Sequence, residues 1–231
     1  MSLFVIADLH LSFGADKPMD VFSGWKDYTV RLEKNWRRAV TDSDTVVLAG
    51  DISWGMRLEE TLADFQYIHS LPGKKIILKG NHDYWWSTKS KIDAFFAKHG
   101  FDDMRILHNC AYEAGGYVIA GTRGWLYNAK TSEDIKIVNR EAGRLRLSLE
   151  AGKKLKGKMA VFLHYPPLYE DSKCTEILDI LEEYGIEDCY FGHIHGKYAL
   201  SRAPSANWHG IKMHLISCDY VNFLPVKLAE L

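Results

Sequence analysis

Five short apolar runs, Leu3–Ala7, Thr45–Ala49, Lys75–Lys79, Met159–Leu163 and Asp188–Phe191, recur along the chain, and none alternates strictly between apolar and polar residues. A strand wetted on one face alternates, whereas a strand covered on both faces does not. The runs therefore read as core strands. Between them, apolar residues fall at three- and four-residue steps: Trp25, Tyr28, Leu32, Trp36 and Val40, then Leu58, Leu62, Phe65 and Ile68. Ile92, Phe95 and Phe96 suggest a third helix ended near Gly100. Ile135, Val138, Ala142, Leu145 and Leu149 mark a longer one, and Ile177, Leu178, Leu181 and Tyr184 a fifth, stopped by Gly185. Strand alternating with helix predicts mainly parallel pairing with the helices outside. The stretches Arg105–Cys110, Tyr117–Gly121, Met213–Ser217 and Val221–Leu228 add strands with no helix between close pairs, so a second sheet is expected. An α/β sandwich of two sheets accommodates both patterns.

At 231 residues and 47% hydrophobic, the chain can bury a substantial core, and one domain over 1–231 is expected. Gly152 to Lys158 is a Lys/Gly-rich connection that reads as a mobile loop. Lys+Arg 29 against Asp+Glu 30 gives no overall charge that would draw the chain to nucleic acid or an anionic membrane. No apolar run approaches the roughly 20 residues that span a bilayer, and the N-terminus runs directly into the first strand. Cys110, Cys174, Cys189 and Cys218 are far apart with no C-x-x-C pair, so they read as reduced thiols, and a cytoplasmic location is expected.

The chemistry-bearing residues follow the strands. Asp8 and His10 come after the first, two apart, so that in extended backbone both project to one side; an Asp capping a turn beside a surface His is the plainer reading. Gly50-Asp51 ends the second run, where glycine permits a sharp turn and a carboxylate can give one oxygen to each of two metals. Gly80-Asn81-His82-Asp83 follows the third: Asn81 offers an amide oxygen, and His82 faces a leaving group, its tautomer fixed by Asp83 or by a backbone carbonyl. An Asn-rich turn opening the next helix is the alternative. His164 precedes the rigid Tyr165-Pro166-Pro167, and His193 and His195 stand between glycines after the fifth run. Carboxylate, amide and imidazole donors gathered at one end of a sheet suit two divalent cations, with the nitrogen ligands favouring Mn, Fe or Zn over a site built for Mg.

In this order Ala7-Asp8-Leu9-His10, Gly50-Asp51, Gly80-Asn81-His82-Asp83, His164 and Gly192-His193-Ile194-His195 resemble the five-block signature of the calcineurin-like metallophosphoesterases, over Asp8 to His195. The resemblance implies a four-layer α/β/β/α sandwich with two central mixed sheets and a dinuclear centre at the strand ends. It implies one metal on Asp8, His10, Asp51 and His195, the other on Asp51, Asn81, His164 and His193, and His82 as the catalytic histidine that binds neither. Trp54 stands where many relatives carry a second acidic residue, the arginine of the protein serine/threonine phosphatases is missing, and Asp83 replaces their usual glutamate. These departures argue against phosphoprotein substrates, and Gly50 to Met56 and Gly80 to Trp86 are closer to a group of bacterial predicted phosphohydrolases.

The expected reaction is phosphomonoester or phosphodiester hydrolysis by in-line attack of a metal-bridging hydroxide, with His82 as general acid. A small phosphorylated substrate is favoured over nucleic acid. An Mn-dependent nuclease and a non-catalytic protein-binding scaffold are the alternatives. Tyr84, and Trp85 and Trp86 after it, either stack on substrate or anchor the next helix. Arg123 and Trp125, with Tyr127 beyond, either clamp a phosphate and an organic group or form a surface arginine beside core aromatics. Arg140, Arg144 and Arg146 mixed with Glu133, Glu141 and Glu150 read as a solvated helix face. His69, His99, His108, His209 and His214 match none of the blocks.

Overall fold

A computed structural model describes residues 1–125, 131–170, 172–196 and 207–231. The first half runs β1 (Leu3–Ile6), α1 (Tyr28–Ala39), β2 (Thr45–Ala49), a 3₁₀ turn (Leu58–Thr61) leading into α2 (Leu62–Ser70), β3 (Lys74–Leu78), α3 (Lys89–His99) and β4 (Met104–Ile106). Next come β5 (Tyr112–Ala114), β6 (Tyr117–Thr122), α4 (Ser132–Gly152), β7 (Lys158–Leu163), and the short pair β8 (Leu168–Tyr169) and β9 (Ser172–Lys173). The rest is α5 (Thr175–Glu183), β10 (Asp188–Phe191), β11 (Asn207–Trp208), β12 (Ile211–Leu215) and β13 (Val226–Lys227).

Among the described residues two large sheets form, in the orders β13-β1-β2-β3-β4 and β11-β12-β10-β7-β6-β5, beside the small β8-β9 pair. Their inner strands pair in parallel, and β13, β11 and β5 close edges antiparallel. The period of two decides which layer each side chain enters. Val5, Val47 and Ile76 face Ile119, Phe162 and Tyr190 between the sheets. Their neighbours Phe4, Val46 and Ile77 turn outward onto Leu32 and Trp36 of α1, Phe65 of α2 and Phe96 of α3. On the other side Ala120, Val161 and Cys189 meet Val138, Leu145 and Leu149 of α4 and Ile177 and Leu181 of α5. The result is the expected α/β/β/α sandwich, with strands apolar on both faces because both faces are covered.

Strand membership differs from the sequence reading in places. The runs at Arg105–Cys110 and Val221–Leu228 shrink to β4 and β13 and extend the first sheet, while β7 and β10 go to the second. Periodicity marks a strand but not the neighbour it pairs with. Trp25 and Val40 flank α1 rather than belong to it, yet both stay buried. The connection read as starting at Gly152 starts one residue later: Gly152 closes α4, and a Cβ there would meet the Met159 side chain. Glu141 is fully buried and so departs from the solvated face expected of α4. Among the described residues no helix is long and apolar enough to cross a membrane, and all four cysteines are free.

The carboxyl ends of the parallel strands share one edge, and there the two sheets join. Ala7 donates its N–H to Ile216 and accepts from Cys218, a parallel bridge that carries β1 past the end of β12. Turns leaving both sheets are thereby held within a few ångströms of each other.

Candidate metal centre

Asp8 and His10 leave β1, Asp51 leaves β2, Asn81 and His82 follow β3, His164 follows β7, and His193 and His195 follow β10. The extended Asp8–His10 pair expected from sequence is not what forms. Asp8, His10, Asp51 and His193 all have positive φ, at 59°, 46°, 53° and 71°. Non-glycine residues rarely occupy this region, and the strain persists only where surroundings impose it. Here Asp8 N–H donates to Gly50 O at 3.0 Å and His10 N–H to Asp51 O at 2.9 Å, stitching the first ligand loop to the second.

Glycine sets how closely the loops approach. Gly50, at φ 94°, makes the turn before Asp51. Gly80 has an ordinary φ, but a Cβ on it would lie 2.1 Å from Asp51 Oδ1. With no side chain there, the Asp51 carboxylate lies against the third loop, and His82 N–H donates to it at 2.7 Å.

The donor atoms converge. His164 Nε2 lies 2.7 Å and His193 Nδ1 2.8 Å from the one Asn81 Oδ1. His164 Nε2 is also 3.4 Å from Asp51 Oδ2, and His10 Nε2 is 3.7 Å from the same oxygen. Asp8, Asp51 and His164 each offer a ligand atom within 4.8 Å of the others', and the His10 and His195 ring centroids are 5.2 Å apart. All seven residues expected as ligands are thus gathered. Among the described residues, His10 Nε2 and Asp51 Oδ2 are buried without a hydrogen-bond partner, a costly state for polar atoms unless a cation completes it. Hard carboxylate and amide oxygens with borderline imidazoles suit divalent transition ions, so the residues present fit such a centre.

The electrostatics follow from burial. It pushes the Asp8 carboxyl up to about 6, against the pull of His164, and drives His10 and His193 down to about 3 each, leaving neutral imidazoles. Burial would lower His164 too, but Asp51 and Asp8 outweigh it and raise it to about 9. Burial likewise acts to raise Asp51, and His164 and His10 outweigh it and hold the carboxyl below its usual range. With no cation bound, His164 and Asp51 thus favour each other's charged forms across 3.4 Å.

His82 borders this set without joining it. Its ring is half-buried, 5.6 Å from His10 and 4.5 Å from the Trp54 indole, and burial lowers its pKa. The expected contact from Asp83 to the His82 ring does not form. Asp83 is buried and accepts from the backbone N–H groups of Gly80 (2.7 Å), Ile52 (2.8 Å), Asp51 (3.0 Å) and Ser53 (3.3 Å) and from the Trp85 indole (2.9 Å). His82 Nδ1 is buried with no partner among the described residues. Asp83 clamps the second and third loops together because four main-chain donors, which sequence cannot count, converge on its two oxygens.

Tyr84 is exposed, its ring edge-on to His82 at 6.1 Å, while Trp85 is buried against Phe65. Arg123 is not the surface arginine of the plainer reading. It is 14% exposed, lies over Trp125 at 4.6 Å and approaches Glu141 at 3.6 Å. Trp125 meets Tyr165, whose ring is 4.3 Å from His193. Tyr127 lies outside the described residues. Three of the unmatched histidines have acidic partners of their own: His69 pairs with Asp103, His209 with Glu182 and His214 with Asp188.

Three residues of the site escaped the sequence reading. Trp54, noted there only as a departure, stacks on His10 at 5.1 Å. Cys218 donates its thiol to Asp8 O at 2.8 Å. Asp219 accepts from Gly196 N–H, and its other oxygen is buried with no partner among the described residues. The signal for Asp219 was present, since it follows β12 as the other site residues follow their strands.

The family profile described as calcineurin-like phosphoesterase matches residues 1–197. No curated protein matches the sequence. Among solved structures, a protein of unknown function, AQ665, from Aquifex aeolicus is similar at TM-score 0.57 and 15% identity, covering 99% of this chain and 96% of that one. A phosphopantetheinyl hydrolase from Mycobacterium tuberculosis is similar at TM-score 0.57 and 14% identity, over 96% and 90%. The TT1561 protein of Thermus thermophilus gives TM-score 0.54 and 13% identity, over 84% and 82%. At these identities the likeness is one of fold.

Proposed function

The chain belongs to the calcineurin-like phosphoesterase family, and from that premise we propose that it hydrolyses a phosphate ester of a small molecule at a centre of two divalent ions. Asp8, His10, Asp51 and His195 would hold one ion, and Asp51, Asn81, His164 and His193 the other, with Mn, Fe or Zn favoured by the mixed donors. The observation that carries this reading is the pair of buried, unpartnered atoms His10 Nε2 and Asp51 Oδ2 at the meeting point of five loops. When bound, such ions supply Lewis acidity and an acidified water.

The chain's own residues do the rest. The His82 ring lies beside the ligand set and shares none of its short contacts, which supports a role in giving a proton or hydrogen bond to the leaving oxygen. Trp54 packs on both His10 and His82 and restricts their rings. Tyr84, beside His82, and the Arg123–Trp125 pair, linked to His193 through Tyr165, would contact the organic part and a phosphate. Near-zero net charge supports a small substrate over nucleic acid, and four free thiols suit a reducing cytoplasm.

His82→Ala should lower turnover of an aryl phosphate by about 10²–10⁴-fold with metal content nearly intact. Asp51→Ala should lose metal and activity together. Equal metal loss in both variants removes His82 from its role, and a wild-type chain that hydrolyses no ester with any of the three metals refutes the reading.

A further inference from the structure

Beside the metal centre lies a cavity of about 250 Å³ whose walls include Lys79, His108, Arg123, Glu141 and Arg144. We propose that it binds a second phosphate of the substrate, an inference that rests on the phosphoesterase reading above. Sites that hold a whole small ligand measure roughly 300–1,000 Å³, so this volume suits one group of a larger molecule.

The cavity adjoins two of the ligand loops. Lys79 precedes Asn81 by two residues, which limits their backbone separation to roughly 7 Å. On the other side, the Arg123 carbonyl accepts from His164 N–H at 3.0 Å and from Tyr165 N–H at 2.9 Å. A group held here would be tethered within one small molecule of an ester at the metal centre.

Charge selects the ligand. Three cations, Lys79, Arg123 and Arg144, line the cavity against the single carboxylate of Glu141, an excess of two positive charges with Glu141 ionised. Asp83 lies under the loop near Lys79, but five donors already occupy its oxygens. An excess of two matches a phosphate dianion better than a carboxylate. The guanidinium groups are also held in place. Buried Glu141 accepts from Thr122 Oγ1 and from Arg144, both at 2.6 Å, and stands 3.6 Å from Arg123. Arg123 is pinned over Trp125, and its Nε is buried with no partner among the described residues. Fixed planar donors with unused N–H groups are the usual recognition element for phosphate oxygens.

The test compares three esters in the metal-loaded protein: an aryl phosphate, the same ring with a second phosphate, and the same ring with a carboxylate in its place. The expected result is a kcat/KM at least about tenfold higher for the bisphosphate, with that preference reduced about tenfold in Arg144→Gln through KM. Lys79→Gln, which leaves the Glu141 hydrogen bonds alone, should reduce it similarly and stands in if Arg144→Gln does not fold. Arg146→Gln, on the exposed face of α4 opposite Glu183, should keep it. No wild-type preference, a preference untouched by both pocket variants, or a stronger preference for the carboxylate overturns the proposal. If no ester is hydrolysed at all, the phosphoesterase reading fails instead. Titration of the metal-free chain with inorganic phosphate, followed by ³¹P NMR, then decides the pocket: binding lost in Arg144→Gln supports it, and equal or absent binding in both refutes it.

Discussion

Asp83→Ala would leave five donors around one buried acceptor site with nothing to bond. Four are main-chain N–H groups of Gly80, Asp51, Ile52 and Ser53, and the fifth is the Trp85 indole. A hydrogen bond to a charged acceptor contributes about 1.5–3 kcal/mol, and a buried donor left dry costs a similar amount. If water entering the space of the lost side chain satisfies three of the five, the other two amount to about 3–6 kcal/mol. At about 2–4 °C per kcal/mol for a chain of this size, the melting temperature should fall on the order of 10 °C. Metal affinity should fall as well, because the clamp joins the Asp51 loop to the Asn81 loop although Asp83 touches neither imidazole nor ion. Asp83→Asn should do part of this damage, since one of its two atoms becomes a donor facing donors. The measurements are thermal melts of the metal-free chain and metal titrations of both variants. An Asp83→Ala protein as stable as the wild type when metal-free would refute the clamp. Unchanged stability with a displaced pH–rate profile would restore the contact to His82 that the sequence suggested.

Two further outcomes test the packing. Gly80→Ala puts a Cβ 2.1 Å from Asp51 Oδ1 and 2.2 Å from its backbone nitrogen, so the carboxylate must move. Elemental analysis should show lost metal, with about 1–3 kcal/mol of overpacking cost, and full metal content would contradict the close approach described here. Asp44 is buried and accepts from Ser2 N–H at 2.6 Å, Thr41 N–H at 3.0 Å and Thr41 Oγ1 at 2.7 Å. Burial acts to raise its carboxyl, but these donors outweigh burial and hold it below 3.8. A depressed carboxyl stabilises the fold above its unfolded value, and that contribution is lost as pH falls through the folded one. Asp44→Asn should therefore cost about 1–3 kcal/mol at pH 7, a deficit in urea melts that shrinks below pH 4; a deficit constant with pH would sink the assignment.

Much of the sandwich was legible. Unbroken apolar runs announced two-sided burial, and helical stripes ending at Gly100 and Gly185 placed α3 and α5. What failed was local. Tyr112–Ala114 is too short to show a period, and β4 and β13 joined a sheet that their own residues do not specify. In the centre, residue types at strand ends pointed to all seven residues that the fold gathers, since each cluster carried its own donors. Asp83 and Glu141 depart from expectation for one reason: each takes part of its partners from distant chain, the backbone of Asp51 to Ser53 for the first and Thr122 and Arg123 for the second.

The sequence by itself determined which chemistry is available, because donor identity and strand-end position are local properties of a few residues. Only the tertiary structure decided how those donors are held. Left-handed backbone at Asp8, His10, Asp51 and His193, the bridge from Ala7 to Ser217 between sheets, and a buried carboxylate under the site each cost free energy that distant contacts must offset. Such contacts join residues far apart in the chain, and no pattern within one segment encodes them.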